Sequence, residues 1–150
     1  MLPFLLGTLL ATSCPVSPVE DPLPAIIGPI TGRHPAWLVD GASGQWENAE
    51  TRVKTLWVLS QKGRGPLHVE GRRLDGEGTA RFQDGGIDGT PKDALDIEDW
   101  RRRAVPGNAT PEARRDYAWV PNYVIYPSRG CWQFTVRLGA EETRITIELK

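Results

Sequence analysis

Histidine and cysteine are scarce in this chain: His34 and His68 are the two histidines, Cys14 and Cys131 the two cysteines. Neither type forms closely spaced pairs, so no zinc motif can be written from them. No apolar run approaches the ~20 residues that cross a bilayer, the stretch at residues 2–11 being the longest at the N-terminus. Charge of one sign is also missing. With 18 basic and 19 acidic side chains the net charge is -1, without the basic excess of a nucleic-acid binder. What is plentiful is punctuation: 16 glycines and 13 prolines make up about a fifth of the 150 residues and favour short strands and turns over long helices. A hydrophobic share of 39% with 25% charged residues is enough for one well-packed domain and excludes a disordered chain.

The apolar N-terminal run has the length of a signal-peptide core, and it ends in small residues ahead of a cysteine, Ala11-Thr12-Ser13-Cys14. That junction resembles a bacterial lipobox, in which the cysteine is lipidated. Ala11 stands where a lipobox has leucine, and no lysine or arginine precedes Arg33. Four prolines between Pro15 and Pro24 then prevent a helix and read as a semi-extended spacer. The expected organisation is a signal peptide over residues 1–13, a lipid-anchored Pro-rich tether over 14–32 with Cys14 as the attachment point, and a folded domain over 33–150. The membrane is then a partner through that anchor, in an extracytoplasmic setting. A soluble secreted or periplasmic protein is the alternative. A disulfide between Cys14 and Cys131 and a lipid on Cys14 exclude each other.

Strand signals dominate the rest. Trp132, Phe134, Val136 and Leu138 alternate with polar residues, as do Ile145, Ile147 and Leu149 beyond a turn at residues 139–141, which predicts a C-terminal hairpin. Residues 53–59 are apolar on both faces, as a central strand is, and the turn-rich residues 61–66 predict a second hairpin into residues 67–70. Shorter strands are expected at 36–39, 80–82 and 123–126. A strand reaching Ile97 competes with a helical turn around Trp100. With about seven or eight strands and no long helix, the expected fold is all-β, an antiparallel two-sheet immunoglobulin-like β-sandwich, with a small β-barrel as the alternative.

Two stretches carry a further resemblance: Leu56-Trp57-Val58 through Gly65-Pro66-Leu67 to Gly71-Arg72-Arg73-Leu74-Asp75-Gly76, and Pro121-Asn122-Tyr123 through Pro127-Ser128-Arg129-Gly130-Cys131-Trp132. Together they resemble a group of bacterial secreted proteins and lipoproteins with an immunoglobulin-like β-sandwich, in which Gly-Cys-Trp or Gly-Cys-Tyr opens the penultimate strand. The resemblance implies that fold and an extracytoplasmic location. It implies no reaction and no catalytic residues.

Motifs for chemistry are thin. Gly41-Ala42-Ser43-Gly44-Gln45 imitates a nucleophile elbow but has Gln45 in place of the second glycine. Gly76-Glu77-Gly78 lacks the third glycine and following helix of a dinucleotide loop, and no P-loop occurs. As an EF-hand, the loop from Asp84 fails at Gly86 and Leu95, so no metal or other cofactor is assigned, although Asp93, Asp96, Glu98 and Asp99 leave room for an irregular calcium site. Cys131, opening a strand, is expected to be a buried structural thiol. Among six tryptophans, Trp57 and Trp132 are expected in the core, while Trp46 and Trp100 lie among polar residues and are the candidate ligand-facing aromatics. The leading functional expectation is a non-enzymatic binding or structural role at the bacterial cell envelope, with an envelope protein or glycan as partner and no nucleic acid. Its rivals are an envelope hydrolase, whose carboxylates among Asp84, Asp88, Asp93, Asp96 and Asp99 converge on folding, and a carbohydrate-binding module presenting tryptophans.

Overall fold

The computed structural model describes residues 13–20, 30–39, 51–86, 88–103 and 109–150. Its strands are β1 (Val19–Glu20), β2 (Ile30–Arg33), β3 (Ala36–Val39), β4 (Thr51–Ser60), β5 (Leu67–Arg73), β6 (Arg81–Gln83), β7 (Leu95–Ile97), β8 (Tyr117–Tyr126), β9 (Gly130–Leu138) and β10 (Glu141–Leu149). They form two antiparallel sheets, ordered β1-β2-β3-β4-β8-β6 and β10-β9-β5-β7. The expected two-sheet sandwich is what forms, and the sheets do not close into a barrel. One short helix, α1 (Pro111–Asp116), has Thr110 as its N-cap, whose hydroxyl accepts from the Ala113 amide.

Period-two patterning decides which side chains meet. On β9, Trp132, Phe134, Val136 and Leu138 face inward, and each is fully buried. The ladder places Trp132 opposite Ile147 and Phe134 opposite Ile145, so the C-terminal hairpin closes one wall of the core as expected. The other wall comes from Trp57 and Leu59 of β4 and Val120, Val124 and Tyr126 of β8. Phe134 sits at the centre, edge-on to Trp57 at 5.3 Å and to Tyr126 at 6.1 Å. The Trp57 Nε1–H donates to Asn122 Oδ1 at 2.9 Å, which satisfies two buried polar groups at once.

Strand β4 is buried on both faces from Trp57 to Ser60, while Arg52 and Lys54 before it are exposed. Its outward Val58 joins Ile30, Trp37, Trp119 and Ala113 in a second apolar cluster on the outer side of the six-stranded sheet. This explains why residues 53–59 lack alternation.

Three expectations need correction. The turn at residues 61–66 does not make a hairpin: β4 and β5 lie in different sheets, because β3 and β8 already pair with both edges of β4. The connection instead turns a corner against the β9–β10 turn. At Gly65, with φ near +90°, a Cβ would lie 2.6 Å from Gly139 Cα, so only glycine fits. Trp100 is not a ligand-facing aromatic. A strand and a turn both form in its region, β7 followed by a 3-10 turn at Trp100–Arg102, and the turn tucks the indole fully into the core. Its Nε1–H donates to the Gly65 carbonyl at 2.9 Å, so the one polar atom on the ring is spent inside. The boundary between tether and domain also shifts, since β2 begins at Ile30 and pairs with β1 through Val19↔Thr31 and Glu20↔Ile30. Residues 1–12 and Trp46 lie outside the described residues.

Candidate functional site on the four-stranded sheet

The outer face of the four-stranded sheet is polar by the same alternation that fills the core. While Leu67 and Val69 of β5 point inward, His68, Glu70 and Arg72 point outward, opposite Arg137, Thr135 and Gln133 of β9. Strand β7 covers β5 only from Leu67 to Val69, and the chain returns to β5 at the bridge between Arg72 and Thr79. Between these contacts lies an open cleft of about 400 Å³, lined by Glu70, Arg72, Thr79, Asp93, Gln133 and Thr135.

At one end of this face His68 bridges two strands. Its Nδ1 lies 2.5 Å from Asp96 Oδ1 on β7, and its Nε2 lies 3.1 Å from Glu70 Oε1. The hydrogen bond to Asp96 raises the imidazole pKa, Glu70 adds to the effect, and partial burial opposes it. An imidazolium donating from both nitrogens has no lone pair with which to accept a proton. In its protonated form His68 thus pins β7 to β5. His34, in the turn between β2 and β3, lies 3.8 Å from Glu141 and does not join it.

The side chains of Arg72 and Asp93 differ from their neighbours: neither has an ion pair or hydrogen bond among the described residues. The acids singled out from the sequence do not converge. Asp93 lines the cleft with Glu70, whereas Asp84 and Asp96 line a second one of about 300 Å³ with Lys92 and Thr90. Asp84 is gripped by both Arg103 guanidinium nitrogens, at 3.1 and 2.8 Å, and Asp96 by His68. No group of three metal-ligating side chains occurs among the described residues.

The two stretches Gly71–Gly76 and Ser128–Trp132 do meet, at the far end of β5. The Arg73 Nε–H donates to Asp75 Oδ1 at 2.8 Å, and the same oxygen accepts from the Cys131 amide at 3.0 Å. Arg73 and then Cys131 hold the Asp75 carboxyl below the usual carboxylate range. A Cβ on Gly130, where φ is near +135°, would lie 2.7 Å from both Arg73 Nε and Asp75 Oδ1. The glycine of Gly-Cys-Trp is therefore a consequence of this clasp.

Cys131 is buried, 3% exposed, on the Gln133 face as alternation predicts, but it is not a thiol. It is disulfide-bonded to Cys14, with their Cα atoms 5.4 Å apart. The described molecule gives Cys14 this use in place of the expected lipid attachment, because a sulfur in a disulfide has no valence left for a lipid thioether. Residues 13–20 consequently form a strap. Ser17 donates its amide to the Thr146 carbonyl at 2.9 Å and accepts the Thr146 amide on its hydroxyl at 2.8 Å, along the free edge of β10, before β1 joins the other sheet.

Sequence reasoning passed over the His68 cluster. The i, i+2 spacing of His68 and Glu70 on a strand was the available signal, whereas Asp96 arrives through tertiary pairing. The chain matches no family model, no curated protein and no solved structure.

Proposed function

We propose that this chain is an extracytoplasmic β-sandwich with a non-enzymatic binding role, and that the cleft on the four-stranded sheet receives an envelope glycan. The observation that carries the reading is the cleft's lining: unpaired charges of both signs, Arg72 and Asp93, beside the hydroxyls of Thr79 and Thr135 and the Gln133 amide. A hydroxylated ligand with charged substituents needs such convergent donors and acceptors. Of the acids a hydrolase would draw on, Asp84 is held by Arg103 and Asp96 by His68, and they do not converge with Asp93, which weighs against the hydrolase alternative.

An oxidising compartment suits the Cys14–Cys131 disulfide, since reducing cytosol keeps thiols free. One sulfur cannot carry both bonds, so the soluble secreted or periplasmic form is favoured over the lipid-anchored one. Calorimetric titration of the full chain with solubilised cell-wall glycan fragments tests the binding role, alongside the double variant Arg72→Ala, Asp93→Ala. A tenfold or greater loss of affinity is expected, corresponding to about 1.4 kcal/mol. Equal binding by parent and variant would remove the cleft from the reading.

A further inference from the structure

The disulfide joins two sulfurs in unequal surroundings. Cys131 is buried within β9, and its backbone is tied on both sides: its amide donates to Asp75 and its carbonyl accepts from the Leu74 amide at 2.7 Å. Cys14 is half-buried, on a segment without regular structure at that point. The strap that carries it has little else to hold it. Val16 and Val19 are 51% and 61% exposed, so the strap contributes almost no apolar burial. Its other fastenings are the two Ser17–Thr146 hydrogen bonds, the Gly32 amide donating to the Pro18 carbonyl at 3.4 Å, the two-residue ladder of β1, and the Trp37 Nε1–H donating to Glu20 at 3.1 Å. None of its residues belongs to the central core.

We propose that Cys14 is a site of thiol exchange, modified by a low-molecular-weight thiol, and that exchange there unfastens the strap while the sandwich stays folded. An incoming thiolate must approach a sulfur opposite its partner, so the sulfur of half-buried Cys14 is favoured over that of buried Cys131. The thiolate sulfur forms a bond to Cys14 Sγ as the bond between Cys14 Sγ and Cys131 Sγ breaks. The electron pair leaves on Cys131 Sγ, which takes a proton from water. One disulfide is exchanged for another: the incoming thiol is oxidised into the mixed disulfide, Cys131 is reduced to a thiol, and no external oxidant is needed. The freed strap then uncovers Cys131 and the β10 edge at Thr146, whose amide and carbonyl lose their Ser17 partners.

Glutathione is the probe. The full chain is incubated with it, quenched with an alkylating agent under denaturing conditions, and mapped by peptide mass spectrometry. Glutathione on Cys14 with alkyl on Cys131 is expected. Hydrogen exchange on the modified protein should show the Thr146 amide exchanging roughly tenfold faster or more, while the amides of β4, faster only by the stabilisation lost with the disulfide, stay the slowest in the molecule. The double variant Cys14→Ser, Cys131→Ser should reproduce that pattern without any modification. Glutathione on Cys131, or an unchanged Thr146 amide in the modified protein or the variant, would overturn the proposal. Exchange of the β4 amides at the same rate as Thr146 would overturn it too, since the strap would then open only with the whole fold.

Discussion

Replacing Trp132 tests the packing of the core at one of its fully buried tryptophans. The indole is fully buried, edge-on to Tyr126 at 5.4 Å, and its Nε1–H donates to the Ser128 carbonyl at 3.1 Å. Truncating a buried tryptophan to alanine removes about 3 to 5 kcal/mol through lost transfer energy and the cavity left behind. Losing the aromatic pair adds about 0.5 to 1.5 kcal/mol, and the orphaned Ser128 carbonyl adds about 1 kcal/mol. Because these terms overlap, Trp132→Ala should lose about 5 kcal/mol, at the upper end of the cavity range. A domain of this size has roughly 5 to 15 kcal/mol in total, so the variant should be marginal at physiological temperature. Trp132→Phe retains most of the ring volume and the contact with Tyr126 while losing the hydrogen bond, and should cost about 1 to 2 kcal/mol. Equilibrium urea unfolding followed by far-ultraviolet circular dichroism reads both. The reasoning fails if Trp132→Ala unfolds within about 1 kcal/mol of the parent, or if the phenylalanine variant is as damaged as the alanine one.

Other perturbations reach different parts of the molecule. The disulfide spans 117 residues, and in the chain-entropy picture a loop of that length stabilises by about 5 kcal/mol; thermal melting of the Cys14→Ser, Cys131→Ser variant should show a fall of about 10 to 20 °C, and a fall of under 3 °C would refute a structural role. Gly130→Ala forces a Cβ into Arg73 and Asp75 at a left-handed backbone position and should cost about 2 to 4 kcal/mol by urea unfolding, whereas Gly85→Ala, with open space around it, should cost only about 1 to 2 kcal/mol. His68 has a raised folded-state pKa, so its contribution to stability is complete below its unfolded value near 6.5 and is lost as pH rises through the folded value. Urea midpoints of the parent should therefore fall across that window relative to His68→Asn, and parallel pH curves would contradict the bridge.

The fold was legible where one physical rule acted alone. Period-two alternation placed both strands of the C-terminal hairpin and the inward face of Trp132. Residues 53–59 announced a strand buried on both sides, although the second layer over it, Trp119 with Ala113 of α1, could not be read from local pattern. Strand β8 was expected only from Tyr123 onward, because Pro121 interrupts the run. Its neighbour β6 reaches no further than Tyr123, so at Pro121 one side of β8 is open and a residue without an N–H is tolerated. Trp100 misled because polar sequence neighbours say nothing of a turn that folds one side chain inward while Arg101 lies over the ring at 4.4 Å. The candidate site was less legible still. His68 and Asp96 come together only after β7 pairs with β5, a contact between residues nearly thirty positions apart.

The ladder between β4 and β8 runs from Thr51↔Tyr126 to Ser60↔Tyr117, and over its Trp57–Ser60 end it has an apolar layer on each face, whereas Arg52 and Lys54 are exposed at the other end. Local opening at the doubly covered end would have to breach both layers at once, so its amides should exchange with solvent only through complete unfolding and should report the global free energy. Strand β7, three residues long at the edge of the other sheet, is held by three rungs, the His68 bridge and the burial of Leu95 and Ile97. The molecule thus has a graded hierarchy of stability, a doubly covered spine beside a lightly held edge. Asp93, two residues ahead of β7, lines the cleft, so loosening of that edge would change the width of the opening before the rest of the fold gave way.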